Sequence, residues 1–367
     1  MSSTGISQRQ RLPSFSAIAG SLGLLLLPAA KAAALIVSLS WIAGLSTACT
    51  TLNEDRGGKA ETPPPKITDE TPLDEAVEAG IRFGGDTLTE VKKRVSRRKE
   101  WVVLEETLTK VLSKDIAKLK NEEIANGIHL YQITSRETTP EIIQSMLASD
   151  RPIVRQMAWQ LAARNPSKKV AAVIERELTK AVWDGDEERV LIPEMALAVQ
   201  ANQIRSVYTL LRQGLLMQGS EEYAKAMIDL APEKASNDFM AYLAQATIED
   251  LRQLNQQSVN LYACVTIFRF YLTHTLPVNH PGFSHLYLYA VSRNQMLAEM
   301  AQAVLEKQLG GSREQLVYAL ARMPVWIQVA YIEGTRMNPN PNVSLFLDDL
   351  KKLSAHKEVI EEIESRR

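Results

Sequence analysis

Cysteine is nearly absent from this chain of 367 residues. Only Cys49 and Cys264 occur, and no Cys-x-x-Cys pair is possible. Aromatic residues are scarce at 6%. No run alternates strictly between apolar and polar residues and closes on a hairpin turn, so a β-domain is not expected. Charge of one sign is missing as well. Lys and Arg number 42 against 43 Asp and Glu, a net charge of −1. No global field would recruit nucleic acid. A Gly-x-Ser-x-Gly elbow and a phosphate-binding glycine-rich loop are both lacking. Gly310-Gly311 ends one helix and Ser312 opens the next, which is punctuation and not a phosphate cradle. What abounds is Ala, Leu, Glu, Gln and Lys, a composition that favours helix.

One long apolar stretch is present, near the start. The first eleven residues hold Arg9 and Arg11 and no acid. Two apolar blocks follow, Ser14 to Ala30 and Ala32 to Ala48, separated by Lys31. The second suits a signal core and ends in small residues. It closes on Leu45-Ser46-Thr47-Ala48-Cys49, and a Pro/Gly/charged segment follows at once. This arrangement resembles the signal peptide of a bacterial lipoprotein. Ala48 supplies the small residue before the cysteine. Ser46 stands where an aliphatic residue is usual, with Leu45 one step further back. The resemblance implies that residues 1–48 are removed and that Cys49 becomes the lipidated first residue. Thr50 stands where an inner-membrane retention aspartate would, which implies the periplasmic face of the outer membrane. Two other readings stay open. Residues 14–48 could form an uncleaved inner-membrane anchor with a periplasmic domain, or cleavage could follow Ala30-Lys31-Ala32. If Cys49 carries lipid, Cys264 has no intramolecular partner. Its surroundings, Leu261-Tyr262-Ala263-Cys264-Val265, read as a core helix that packs an inert thiol.

Residues 49–72 hold Cys49 and then a segment with Gly57-Gly58 and Pro63-Pro64-Pro65. No periodic apolar face offsets the entropy of ordering them, so they read as a tether spanning ~25 Å. From Leu73 to the C-terminus nearly everything reads as helix, in segments 73–83, 87–114, 121–135, 140–149, 152–164, 167–183, 188–200, 203–217, 220–230, 232–245, 247–274, 284–308, 312–322, 325–336, 342–353 and 355–365. Asn121 with Glu122-Glu123 looks like a capped start. Thr139-Pro140-Glu141 places proline at a first helical position. Ser312 with Gln315 has capping-box spacing.

Short helices joined by short turns suggest paired repeats. In the best unit, Pro140 to Thr179, one helix presents Ile142, Ile143, Met146 and Leu147. Asp150-Arg151-Pro152 and Val154-Arg155 follow, then a helix with Ala158, Leu161 and Ala162. This pattern resembles the HEAT repeat. A weaker copy runs from Asp184 to Leu216. On this reading Asp150 caps the second helix, Pro152 fits its first turn, Arg155 reaches an acid, and Trp159 and Leu161 pack between helices. The resemblance implies an all-α solenoid of paired antiparallel helices over 73–367, with degenerate terminal repeats. By analogy of fold it also implies binding or scaffolding, not catalysis.

Three further features are candidates for function. Lys92, Lys93, Arg94, Arg97, Arg98 and Lys99 put six cations into eight residues. They could meet anionic lipid or wall polymer close to the tether, or form a solvated helix face offset by Glu90, Glu100, Glu105 and Glu106. His274, His280 and His285 could hold a metal or line a ligand pocket, the basis of an alternative enzyme reading. Their spacing is not the i, i+4 pair of a helical metalloprotease, and no Glu stands between them. A loop with polar, solvated residues is the simpler explanation. Last, Met337-Asn338-Pro339-Asn340-Pro341-Asn342 reads as a rigid polar turn or a partner-binding edge. No cofactor is called for. The expected partners are the membrane, through the lipid, and envelope proteins whose identity the sequence withholds.

Overall fold

The computed structural model describes residues 63–95, 101–114, 116–133, 140–253, 259–336 and 338–366. Cys49, Arg97, Arg98 and Lys99 lie outside these residues, as do the expected signal segment and most of the tether. Thr62–Glu333 and Asn340–Arg367 form one compact unit, and the description concerns that unit.

Nineteen α-helices and no strand occur among the described residues. The first seven are α1 (Leu73–Phe83), α2 (Gly85–Val95), α3 (Trp101–Lys114), α4 (Asn121–Ile133), α5 (Pro140–Leu147), α6 (Pro152–Arg164) and α7 (Lys168–Asp184). Then come α8 (Pro193–Ala201), α9 (Tyr208–Gln218), α10 (Glu221–Leu230), α11 (Pro232–Leu243), α12 (Ile248–Gln253) and α13 (Val259–Thr273). The last six are α14 (Leu286–Ala290), α15 (Gln295–Gln308), α16 (Arg313–Ala321), α17 (Val325–Gly334), α18 (Pro341–Leu353) and α19 (Lys357–Glu364).

Helix α1 shows how the sequence dictates these elements. Leu73, Ala76, Val77, Gly80 and Ile81 recur at helical spacing, and all five are buried. Asp74 and Glu75 sit in the first turn and Arg82 in the last, each complementing the helix dipole. Gly84 then stops the helix at φ 62°, its N–H bonded to the Gly80 carbonyl at 3.0 Å. Elsewhere proline opens helices α5, α6, α8, α11 and α18, where its missing N–H costs nothing. Ser167 caps α7 by accepting from the Val170 N–H, and Asn294 caps α15 by accepting from Leu297, both at 3.2 Å.

Packing follows an alternation. Helix α1 packs on α3, α3 on α5 and α5 on α7. In a second series α4 packs on α6, α6 on α8, α8 on α10, α10 on α13 and α13 on α15. Leu161 and Trp159 of α6 are each 1% exposed, so both lie between helices as the repeat pattern requires. One close approach is at Gly214 of α9. A Cβ there would stand 2.2 Å from Cε1 of Tyr223, a fully buried residue of α10. Many of the buried aromatic residues lie in the C-terminal half. Phe268 meets Tyr289 edge to face at 5.4 Å, and Tyr287 meets Tyr331 at 4.9 Å. Their hydroxyls are satisfied across helices. Tyr287 donates to the Leu316 carbonyl at 2.9 Å and Tyr289 to the Leu243 carbonyl at 3.2 Å.

Two expected caps are not made. Arg151, not Asp150, is the N-cap of α6, and no side chain bonds there. The Arg155 guanidinium takes the carbonyls of Ser149 and Asp150, both at 2.9 Å, so it holds its own turn instead of an acid. Ser312 precedes α16 without a side-chain cap. One long segment is also divided: the stretch 284–308 breaks into α14 and α15 around Asn294. The stretches 87–114 and 247–274 each hold two helices, with residues 96–100 and 254–258 outside the description.

Arginines tie successive turns together. Arg151 donates to the Leu119 and Ile116 carbonyls, each at 2.7 Å, and to Asn121 Oδ1 at 3.1 Å. Arg189, one helix pair later, reaches back to the Ser149 carbonyl at 3.2 Å. Each guanidinium supplies donors to carbonyls that helix ends leave unpaired.

Candidate functional site

The described part of the basic segment is the last turn of α2, and its three cations are differently engaged. Lys93 pairs with Glu90 at 2.7 Å, and both are exposed, so the pair is worth little. Arg94 is committed to the turn before α1: its guanidinium donates to the Thr71 carbonyl and, at 3.3 Å, to that of Thr68. Lys92 is partly buried, and desolvation lowers the pKa of its ammonium.

The fold adds two members that local sequence does not suggest. Desolvation, then the charges of Lys92 and Arg164, hold the pKa of His129 below the usual histidine value. The charges of Lys92 on α2 and Arg164 on α6 therefore both reach His129 on α4. Helix α4 packs on both α2 and α6. The three residues recur about one repeat length apart, which is the only sequence signal that could have grouped them.

The three histidines take separate roles. His274 stacks on Phe270 at 4.0 Å, with Nδ1 3.1 Å from the Phe270 carbonyl and 2.9 Å from Thr273 Oγ1. His280 caps the 3-10 turn Pro281–His285, its Nδ1 accepting from the Gly282 N–H at 3.0 Å. His285 buries its Nδ1 with no partner among the described residues. Among the described residues, no three or more His, Cys, Asp or Glu side chains converge as a metal-holding group.

His280 does line a cavity of about 460 Å³. One wall is the turn, with Asn279, Pro281, Phe283 and Ser284. The other is a single face of α16, where Gln315, Tyr318, Ala319 and Arg322 follow one another at i, i+3, i+4 and i+7. Sequence reading reached the histidine and missed the helix opposite it.

Two further features bear on function. Cys264 is 2% exposed, and burial pushes its thiol up to about 12. This is the inert packing expected of it. Trp183, which the sequence reading passed over, is 84% exposed at the end of α7 beside exposed Val182. Its ring borders an open groove with Arg176, Thr179 and Lys180. Large apolar side chains displayed this way are characteristic of contact surfaces. No helix among the described residues is long and apolar enough to cross a membrane.

Compared with protein-family models, with curated proteins and with solved structures, the chain gives no match.

Proposed function

We propose that this protein is a lipid-anchored, non-catalytic binding protein of a bacterial envelope. Cys49 carries the lipid at the periplasmic face of the outer membrane, and residues 49–72 tether the helical domain. The domain is a HEAT-like α-solenoid that binds envelope proteins along its outer surface. The observation that carries the reading is the alternate packing of helices, in which two interleaved series, α1 to α7 and α4 to α15, each stack on non-adjacent neighbours. Stacking of this kind buries one continuous core and leaves a long surface open to partners. The exposed Trp183 gives that surface an aromatic anchor.

Contact with anionic lipid or wall polymer is a second part of the proposal. Lys92, Lys93, Arg94, Arg97, Arg98 and Lys99 begin about twenty residues after the tether. Arg164, whose charge reaches His129 together with that of Lys92, extends the same positive region. Each cation near an anionic surface contributes at most ~1 kcal/mol and is screened within ~8–10 Å. The region assists docking and is not the anchor.

Co-pelleting tests this part. Replacing all six cluster cations by Gln in a soluble chain that begins after Cys49, with neither the lipid nor the apolar leader, should weaken binding to phosphatidylglycerol vesicles at low salt. At high salt the variant should converge with its parent. Equal binding at both salts would reduce the cluster to a solvated helix face. For the surface itself, Trp183→Ala should remove partners cross-linked to the wild-type chain in membranes. An unchanged set of partners would place the binding surface elsewhere.

A further inference from the structure

The cavity between the 281–285 turn and α16 has a chemical character of its own. Among the described residues, the side chains of Asn279, Ser284, Gln315, Tyr318 and Arg322 have no hydrogen-bond or ionic partner. Solvated polar side chains are ordinary one at a time. Here they share one concavity with His280, and no carboxylate lines it. The His280 cap also fixes a proton. Nδ1 accepts from Gly282, so in the neutral ring the proton sits on Nε2, and the ring can offer a donor. The cavity is thus rich in donors: a guanidinium, two amides, two hydroxyls and an imidazole N–H. Val278, Pro281, Phe283 and Ala319 give it an apolar side.

We propose that this cavity binds a carboxylate-bearing ligand with an apolar group next to the carboxylate. The Arg322 guanidinium takes the carboxylate, and the neutral donors take its remaining lone pairs. The apolar group lies against Tyr318 and Pro281. One formal cation with neutral donors balances a monoanion, whereas a phosphate dianion would keep an unmatched charge. The carboxylate could come from a peptide C-terminus or from a small organic acid, because both present the same fork of acceptors. This inference does not depend on the anchor or on the scaffold reading.

The test uses the full chain in detergent and ligand-observed NMR titration with four probes. N-acetylphenylalanine stands for a peptide C-terminus and 3-phenylpropionate for an organic acid. N-acetylphenylalaninamide removes the charge, and phenyl phosphate adds one. At least one of the two carboxylates should bind with Kd of about 1 mM or tighter, the range a few exposed contacts can support. The tighter of the two identifies the source. Neither the amide nor the phosphate should match it. Arg322→Gln, at an exposed site, should weaken binding about tenfold, the loss of one charged hydrogen-bonded contact. Arg205→Gln, an exposed arginine outside the cavity, should leave binding unchanged. Equal binding of amide and acid, tighter binding of phenyl phosphate, no binding of either carboxylate, or indifference to Arg322→Gln would each overturn the assignment. Because the Cys49→Ala chain should bind these probes like the wild type, a failed lipid anchor would leave the result untouched.

Discussion

Gly214→Ala is a substitution whose sign tests the packing directly. In the interior of an ordinary helix the change stabilises by about 0.5–1 kcal/mol, because glycine loses more backbone freedom on folding. At this position the added methyl would meet the Tyr223 ring at 2.2 Å from Cε1 and 2.4 Å from Cζ. Carbon atoms rest about 3.5–4.0 Å apart, so α9 and α10 must separate or the ring must turn. Tyr223 is fully buried, and its hydroxyl bonds Gln218 Oε1 at 3.3 Å, so neither movement is free. Overpacking of this kind costs about 1–3 kcal/mol and outweighs the helix gain. A net loss of about 1–2 kcal/mol follows. Urea unfolding followed by circular dichroism would read it as a lower midpoint at unchanged slope. In a Tyr223→Leu background the obstructing ring atoms are gone, and the same glycine change should become neutral or stabilising. A Gly214→Ala chain at least as stable as wild type would refute the close approach of α9 and α10.

Other expectations rest on separate contacts. Leu161→Ala should cost about 2–5 kcal/mol in the same unfolding assay, since the side chain is 1% exposed; a change near zero would mean the buried face of α6 is wrong. Arg151→Leu strips donors from the Leu119 and Ile116 carbonyls and should cost about 1–3 kcal/mol, most of it lost if water replaces the guanidinium without penalty. Cys264 should resist alkylation in the native chain at pH 8 and react once urea unfolds it. Burial lets the folded thiol hold its proton up to about 12, well above the usual range of an exposed thiol. Between that range and the folded value the unfolded chain has lost a proton that the folded chain keeps, so stability falls as pH rises. Cys264→Ala should flatten that alkaline decline, and an unchanged slope would assign it to other groups.

Helix positions were legible because amphipathic stripes, prolines at first turns and glycine stops all act within a few residues. Residues 152–164 illustrate this, where Pro152 opens α6 and the expected bounds match those found. The break before α15 was hidden by an apolar run, although Asn294 carries the capping chemistry that makes it. Asp150 was misassigned because the helix starts one residue later than the local rule places it, so that Arg151 stands at the N-cap. The candidate sites were less legible still. His280 stands out in the sequence, but Gln315, Tyr318 and Arg322 join it only through packing of a later helix. The same holds for Lys92 and Arg164, whose charges reach His129 only after α2, α4 and α6 are side by side.

The most direct test of the central proposal is the intact mass of the chain purified from its own membranes. A mature protein beginning at Cys49, heavier than residues 49–367 by the mass of a diacylglyceryl group and an amide-linked acyl chain, is the expected result. The Cys49→Ala chain should keep residues 1–48 and carry no lipid. A mature wild-type chain that retains those residues, or that starts after Ala32 without lipid, would contradict the lipid anchor.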